Sequence, residues 1–187
     1  MNKEKVAETV SQVFHPAVIE IPAATAGLLV YGLKTEEILI YAVLPLIGVT
    51  GTIYGLLNTS RFEKLDMNTR SDRNKIYVVA ILSLSIVGVL TYYFQGPGVI
   101  KRLSPAAIGI GLINYSFNQR IKISLHTTGM GLVTALFANL NWVLGLFFLA
   151  ASFAVAWSRI QLERHTPAEA FLGFTVSFTL ILIALTF

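Results

Sequence analysis

Residues 165–187 read HTPAEAFLGFTVSFTLILIALTF and carry no charged side chain after Glu169. A helix needs about 20 residues to cross the hydrocarbon core of a bilayer, so this run predicts a membrane span over residues 170–187. The four residues from Thr166 to Glu169 form a capping box with proline at the first helical position. The stretch therefore predicts a transmembrane helix that starts immediately after His165.

The composition of the whole chain is typical of a membrane protein. Its 187 residues are 55% hydrophobic and 13% charged, whereas soluble domains carry about 25% charged residues. This excludes soluble enzyme folds, disordered tails and nucleic-acid-binding modules. The net charge of +4 fits basic loops beside lipid headgroups. Cysteine is absent, which excludes disulfides, thiolate metal sites and thiol catalysis.

Other uncharged runs predict an all-α, polytopic transmembrane bundle of six or seven spans. We expect one integral membrane domain over residues 1–187, because no linker is long enough to separate two. Residues 1–16 are predicted to be an N-terminal amphipathic segment, helical over 3–14, and residues 17–187 to be the bundle. The remaining predicted spans are residues 17–33, 38–57, 76–94 and 103–119, and two shorter helices within 123–158 that Asn139 and Asn141 divide.

Two of these runs contain residues that bear on the start of the helix or on whether it crosses the membrane. Ser104 and Pro105 are a favourable N-cap and first-turn pair for the run 103–119. Glu20 lies near one end of the run 17–33, which leaves two possibilities open. This segment either crosses the membrane or only enters its interface.

Most charged and titratable residues fall in three clusters between the predicted spans. They are RFEKLDMNTRSDRNK (61–75), NQRIKISLHTTG (118–129) and SRIQLERHTPAE (158–169). Ionisable groups near a membrane tend to mark functional sites. Two predicted spans separate each cluster from the next, so all three are expected on one face of the bundle.

The residue types in the second and third clusters favour a phosphate site. Lys122 and His126 stand in the second cluster, and Arg159 and His165 in the third. Guanidinium and ammonium groups neutralise phosphate oxygens, and imidazoles transfer protons or act as nucleophiles. With no thiols and few acids, the same set is a poor metal site.

These clusters resemble the motifs of the type 2 phosphatidic acid phosphatase superfamily. SRIQLERHTPAE is similar to its third motif, Ser-Arg, five residues, His, three residues, Asp, with Glu169 in place of the aspartate. ISLH (123–126) is similar to its second motif, Pro-Ser-Gly-His, and SDRNK (71–75) stands in the place of its first, basic motif without the usual Arg-Pro ending. Together with FHP (14–16), the three motifs are similar to a divergent prokaryotic branch with small, all-helical membrane members.

The resemblance implies a catalytic role for three residues. His165 would be the nucleophile that attacks phosphorus and forms a phosphohistidine. Glu169 would accept a hydrogen bond from the other ring nitrogen of His165 and hold the reactive tautomer. His126 would protonate the leaving group and then activate the water that cleaves the intermediate.

The resemblance also implies a set of phosphate-binding residues. Fixed cations would neutralise the phosphate, so no metal and no cofactor are implied. Arg70 competes with two other basic residues for the contact from the first motif. The predicted phosphate-binding residues are Arg73, Lys75, Lys122, Ser124 and Arg159.

Some of these residues also have a purely structural interpretation. Glu169 could serve only the capping box, and both roles can hold together. Arg159 and Arg164 could be interfacial anchors that extend to lipid headgroups, which is the interpretation we favour for Arg164. His15 lacks a partner in the motifs and is predicted to be structural.

The sequence thus predicts an integral membrane lipid phosphatase of the cell membrane. Its partners would be membrane lipids and a lipid phosphate or diphosphate of the polyprenyl or phosphatidic acid type, with no nucleic acid. Most basic residues lie on the face that carries the three clusters, and the positive-inside rule places that face in the cytoplasm. A lipid phosphotransferase and a catalytically silent lipid-binding relative are the alternatives. A membrane prenyltransferase would need two aspartate-rich motifs, whereas the only aspartates, Asp66 and Asp72, share one loop.

Overall fold

A computed structural model describes residues 2–15, 18–19, 21–43 and 70–187, with only the backbone of residues 42 and 70–73. This part of the chain is helical and contains no strand, which confirms the predicted all-α class. A π-helical turn, Leu39–Val43, follows the third helix. The helices are α1 (Lys3–Val13), α2 (Ile21–Val30), α3 (Thr35–Ile38), α4 (Arg70–Tyr93), α5 (Gly98–Asn118), α6 (Leu125–Leu140), α7 (Trp142–Gln161) and α8 (Pro167–Thr186).

Three helices are long and apolar enough to cross a membrane. They are α7, α8 and the stretch Asn74–Tyr93 of α4. Large apolar side chains project outward from each, for example Leu82, Phe153 and Phe171. Outward apolar surface of this extent is typical of helices surrounded by lipid. The structure is therefore consistent with a membrane protein, and two predicted spans, 76–94 and 170–187, coincide with these helices.

The predicted division of residues 123–158 into two helices is also present. Helices α6 and α7 meet at Asn141, whose side-chain oxygen accepts hydrogen bonds from the N–H groups of Val143 (2.9 Å) and Leu144 (3.2 Å). Asn141 thus caps α7, since it satisfies two amides that have no partner inside the helix. Helix α6 has 16 residues and is not among the three candidate spans.

The predicted start of the span 103–119 is wrong. Helix α5 begins at Gly98 with Pro97 at its N-cap, and Ser104 lies inside the helix, where its hydroxyl donates to the carbonyl of Ile100 at 2.8 Å. Pro105 has no N–H to bond the carbonyl of Lys101 four residues earlier. The hydroxyl of Tyr92 donates to that carbonyl at 3.3 Å. This bond helps the helix to continue through a proline that the sequence assigned to the first turn.

The two remaining predicted spans are described only in part. Within 17–33, α2 is ten residues long, and Gly32 just after it has a φ of +85°, a left-handed conformation that suits glycine. Glu20 lies outside the described residues. Of the span 38–57, the structure describes only the residues up to Val43, and the rest lies outside the described range.

The chain divides into two compact units, Met1–Gly32 with Ile121–Phe187, and Leu33–Arg120. In the first unit α6 packs against α7 and α8, α1 packs against α7, and α2 packs against α6. Its core includes the fully buried Met130 and Val133 of α6, Val155 of α7 and Ile181 of α8. The single domain that the sequence predicts over residues 1–187 stays a prediction.

Small and hydroxylated residues line the helix contacts of this first unit. Thr134 and Ser152 are buried and lie 3.1 Å apart across the contact of α6 with α7. Where α6 meets α8, Gly131 approaches the backbone of Phe174 and the side chain of Ser177. Such residues let membrane helices approach closely and bond across the contact.

In the second unit α4 packs against α5. A side chain on Gly111 of α5 would meet Ile81 of α4, so this contact is also close. At one end of the pair the amide of Asn118 donates to the side-chain oxygen of Asn74 at 2.7 Å. This bond joins two helices that the sequence predicts as consecutive spans.

Gly131→Ala is expected to destabilise the first unit. A Cβ atom at this position would clash with the backbone carbonyl of Phe174 as well as with Ser177, and overpacking of this kind costs about 1–3 kcal/mol. Thermal unfolding in detergent measures the change. Gly98→Ala is the matched control, because nothing lies within 4 Å of its added atom, and equal melting temperatures of the two variants would contradict the close α6–α8 contact.

Candidate active site

The second and third predicted clusters come together in the first unit. One group of side chains and backbone atoms is formed by the turn before α6, the first turn of α6, the end of α7, the loop before α8 and the first turn of α8. It contains His126, Arg159, His165 and Glu169, together with the backbone of Lys122. We call these five residues the candidate site.

The carboxylate of Glu169 connects the two clusters. One oxygen, Oε2, accepts from the N–H of Thr166 at 3.0 Å and lies 3.2 Å from Nδ1 of His165, while Oε1 accepts from the N–H of Lys122 at 3.2 Å. The backbone carbonyl of Glu169 accepts from the N–H of Ser124 at 3.3 Å. Glu169 therefore completes the predicted capping box of α8 and also contacts His165, so both proposed positions for it hold together.

The contacts of His165 fix its tautomer. Its Nδ1 lies 3.0 Å from the carbonyl oxygen of Lys122 and 3.2 Å from the carboxylate of Glu169. Both partners are acceptors, so Nδ1 carries the proton and the lone pair is on Nε2. The loop is fixed as well, because the N–H groups of Arg164 and His165 donate to the carbonyl of Arg159 at 3.0 and 3.3 Å.

Burial lowers the pKa of His165, whose side chain is only 7% exposed. The hydrogen bond and the negative charge of Glu169 raise this pKa, whereas the charges of Arg159 and Lys122 lower it further, and the net shift is downward. His165 is therefore a neutral imidazole at neutral pH. A neutral ring with a free lone pair on Nε2 is the form that can act as a nucleophile.

His126 lies in the first turn of α6, with Ser124 at the N-cap. Its Nε2 is buried and takes part in no hydrogen bond with the residues that the structure describes. The ring of His15 meets it edge to face, with ring centroids 5.3 Å apart and planes at 84°. The sequence assigned His15 a structural role, since nothing in its spacing from His126 indicates this contact.

Arg159 turns toward the candidate site at the end of α7. Its Nη1 donates to the hydroxyl of Ser11 in α1 at 2.8 Å, and its charge acts on both His126 and His165. The interpretation of Arg159 as an interfacial anchor stays open. Neither its bond to Ser11 nor the proximity of α1 was predicted from the sequence, because the two residues are far apart in the chain.

Ser124 has a structural task in this unit. It is fully buried, and its hydroxyl accepts from the N–H of Thr127 at 3.4 Å as the N-cap of α6. Its carbonyl accepts from the hydroxyls of Thr127 (3.1 Å) and Thr128 (3.0 Å). The predicted contact of Ser124 with phosphate stays a prediction, as does that of Lys122.

The first predicted cluster is described only at its end. Residues 61–69 lie outside the described range, and only the backbone of Arg70 and Arg73 is described. Lys75 is exposed on α4 and belongs to the second unit. The phosphate contacts assigned to Arg73 and Lys75 stay predictions. Among the described residues, no three His, Asp or Glu side chains are grouped as metal ligands.

No protein-family model, curated protein or solved structure matches this chain. The resemblance to the phosphatidic acid phosphatase superfamily therefore depends on the three motifs and stays a prediction.

Glu169→Gln is expected to lower the pKa of His165 further. Both contributions of Glu169 to that pKa raise it, and the substitution removes the negative charge while it keeps an acceptor. NMR titration of the His165 ring in detergent measures the shift.

Thr166→Ala is the matched control for this substitution. It removes the other half of the capping box, at a cost of about 1 kcal/mol of stability, and keeps the carboxylate of Glu169. A pKa of His165 that falls equally in both variants would show that helix capping, and not the charge of Glu169, controls the ring.

Proposed function

We propose that this protein is an integral membrane lipid phosphatase that hydrolyses a lipid phosphate or diphosphate through a phosphohistidine. The observation that carries the proposal is the pair of acceptors on Nδ1 of His165, the carbonyl of Lys122 and the carboxylate of Glu169. They leave Nε2 as the nucleophilic atom, next to a second histidine and an arginine. A histidine that served only packing would need no such control of its tautomer.

In the first step, Nε2 of His165 attacks phosphorus. The N–P bond forms as the bond from phosphorus to the lipid oxygen breaks. Burial and the charge of Arg159 lower the pKa of His126, and the negative charge of the bound phosphate opposes this shift. The protonated His126 of the substrate complex gives its proton to the departing oxygen. The phosphoryl group carries negative charge throughout, and the cations Arg159 and Lys122 stabilise it. As His165 gains positive charge, the carboxylate of Glu169 stabilises the ring through Nδ1.

In the second step, water cleaves the phosphohistidine. His126, neutral after the first step, accepts a proton from the water as its oxygen attacks phosphorus. The N–P bond then breaks, phosphate leaves, and His165 regains its lone pair. His126 ends the second step protonated while phosphate is still bound, so the two steps return both histidines to their forms in the substrate complex. The scheme needs no metal and no cofactor, because the protein's own cations supply the positive charge.

The position of the candidate site in the chain supports a lipid substrate. Arg159 lies in the last turn of α7, and His165 lies between α7 and α8, both of which are candidate spans. The residues that follow one span and precede the next lie at a membrane–water boundary. Lipid phosphates have their headgroups at this depth, and the apolar surfaces of α7 and α8 suit their hydrocarbon tails.

The proposal includes the wider expectations from the sequence. These are six or seven spans, a fold like that of the phosphatidic acid phosphatases, further phosphate contacts from Arg73 and Lys75, and a site that faces the cytoplasm. A phosphotransferase would use the same first step and differ only in the acceptor of the phosphoryl group. A silent lipid-binding relative would keep the bundle and lack turnover.

His165→Ala is expected to abolish phosphate release, because it removes the atom that bonds phosphorus, with a loss of at least about 1,000-fold. The assay uses detergent-purified protein with EDTA and a panel of phosphatidic acid, phosphatidylglycerol phosphate, and polyprenyl mono- and diphosphates. Arg164→Ala is the matched control, since Arg164 is the exposed neighbour of His165 and is expected to keep turnover.

Each result of this assay has a definite meaning. Release by the wild type that survives in His165→Ala would refute the phosphohistidine. Phosphate that appears on a second lipid would identify the phosphotransferase. No turnover from folded wild-type protein across the panel would favour the silent relative, and a strict magnesium requirement would contradict the metal-free mechanism.

The acid side of the pH profile should reflect His165. Because the pKa of His165 is lowered from its ordinary value near 6.5, the nucleophile stays neutral and kcat/KM is maintained as the pH falls below 6.5. Glu169→Gln lowers that pKa further, so its acid limb should lie at still lower pH, with a reduced maximum. Titration of the substrate affects both proteins equally, so the difference between their profiles reports the enzyme. An acid limb that lies at higher pH in Glu169→Gln than in the wild type would contradict the assignment of this limb to His165.

A further inference from the structure

The N-terminal helix α1 lies against α7 through one narrow face. Ala7 and Ser11, four residues apart, are buried, whereas Lys3, Lys5 and Glu8 are exposed. Small residues on the buried face let α1 approach α7 closely. The charged face is exposed, as suits contact with water or lipid headgroups.

The same N-terminal stretch touches two residues of the candidate site. Ser11 accepts a hydrogen bond from Nη1 of Arg159 at 2.8 Å. Just after α1, the ring of His15 meets the ring of His126 edge to face at 5.3 Å. The two contacts are independent, because they come from different residues and reach different targets.

Each contact restrains a group that needs a fixed direction. A guanidinium is a planar fork, so a bond to one nitrogen sets the direction of the other donors. His126 has no hydrogen bond at Nε2 with the described residues, so the contact with His15 orients a ring that lacks this restraint. Edge-to-face packing prefers one relative orientation of two rings.

We propose that residues 2–15 are part of the active site, with Ser11 and His15 as positioning residues for Arg159 and His126. Ser11 aims the guanidinium at the phosphate oxygens, and His15 holds the imidazole that exchanges protons with the leaving oxygen and with water. This inference rests on the proposed phosphatase function. The contact of His15 acts through its ring, and His15 transfers no proton itself.

Three variants and one control test the proposal by turnover. His15→Ala should lower kcat about 10- to 100-fold with little change in KM, since misplacement of a catalytic group costs this much. His15→Phe, which keeps the ring contact, should recover most of that loss. Ser11→Ala should raise KM about tenfold, because it loosens a hydrogen-bonded cation. Thr9→Ala is the matched control, since Thr9 is exposed on α1 and its hydroxyl bonds only to the backbone of Lys5 among the described residues.

The outcomes separate positioning from other roles. A His15→Phe variant as slow as His15→Ala would overturn the ring contact as the cause and indicate proton transfer by His15. If all three variants, His15→Phe included, lost turnover in proportion to their loss of melting temperature, positioning would be overturned in favour of simple helix packing. Wild-type turnover in both His15→Ala and Ser11→Ala would overturn the inference while the phosphatase function stands.

Two further measurements test the positioning roles of Ser11 and His15 and do not depend on turnover. They can be made even if the wild type hydrolyses no lipid in the panel. NMR spectra of labelled histidine should show displaced His126 ring signals in His15→Ala and nearly wild-type signals in His15→Phe. Tungstate, a phosphate mimic, should bind Ser11→Ala about tenfold more weakly than the wild type or Thr9→Ala. Unchanged His126 signals and unchanged tungstate affinity would overturn the proposal.

Discussion

The carboxylate of Glu169 joins the parts of the chain that make the candidate site. It accepts hydrogen bonds from Thr166 and Lys122 and lies against Nδ1 of His165. These contacts fix the start of α8, the turn before α6 and the tautomer of one histidine at the same time. The side chain of Glu169 is only 16% exposed, and a buried carboxylate is stabilised by several hydrogen-bond donors. Because its donors come from two segments, this one acid joins the start of α8 to the turn before α6.

The packing of α6 against α7 and α8 holds in place the segments that Glu169 joins. The apolar surfaces of α7 and α8 face outward, so burial of large side chains contributes less to their contacts than in a soluble protein. The helices are held together instead by their close approach at Gly131 and by the hydroxyl contact between Thr134 and Ser152. Because α6 lies against both α7 and α8, the first turn of α6 is placed beside the loop between them, where His126 and His165 are found.

The end of the first unit that carries the candidate site is polar, whereas the helices beyond it are apolar. Ser11, Arg159 and the two histidines lie where the candidate spans α7 and α8 end and begin, and α1 presents its charges outward. Under the proposed function, this cationic end of the helices would bind an anionic headgroup whose hydrocarbon tail stays in the bilayer. The partly buried imidazoles and the guanidinium lie in a medium of lower dielectric than water, which under the proposed function would increase their effect on a phosphoryl group.

The sequence by itself determined the helical class, the long apolar helices at 76–94 and 170–187, the turn at Asn141 and the capping box of Thr166 and Glu169. These features follow from local rules of hydropathy, helix length and capping, which operate within one segment. It did not determine that α5 begins at Gly98, because a tyrosine from the neighbouring helix compensates for Pro105. Only the tertiary structure decided that Lys122 supplies a carbonyl to His165, that Ser11 holds Arg159 and that His15 meets His126. Each of these contacts joins residues far apart in the chain, and the packing of α1 and α6 against α7 and α8, which no local pattern encodes, brings them within bonding distance.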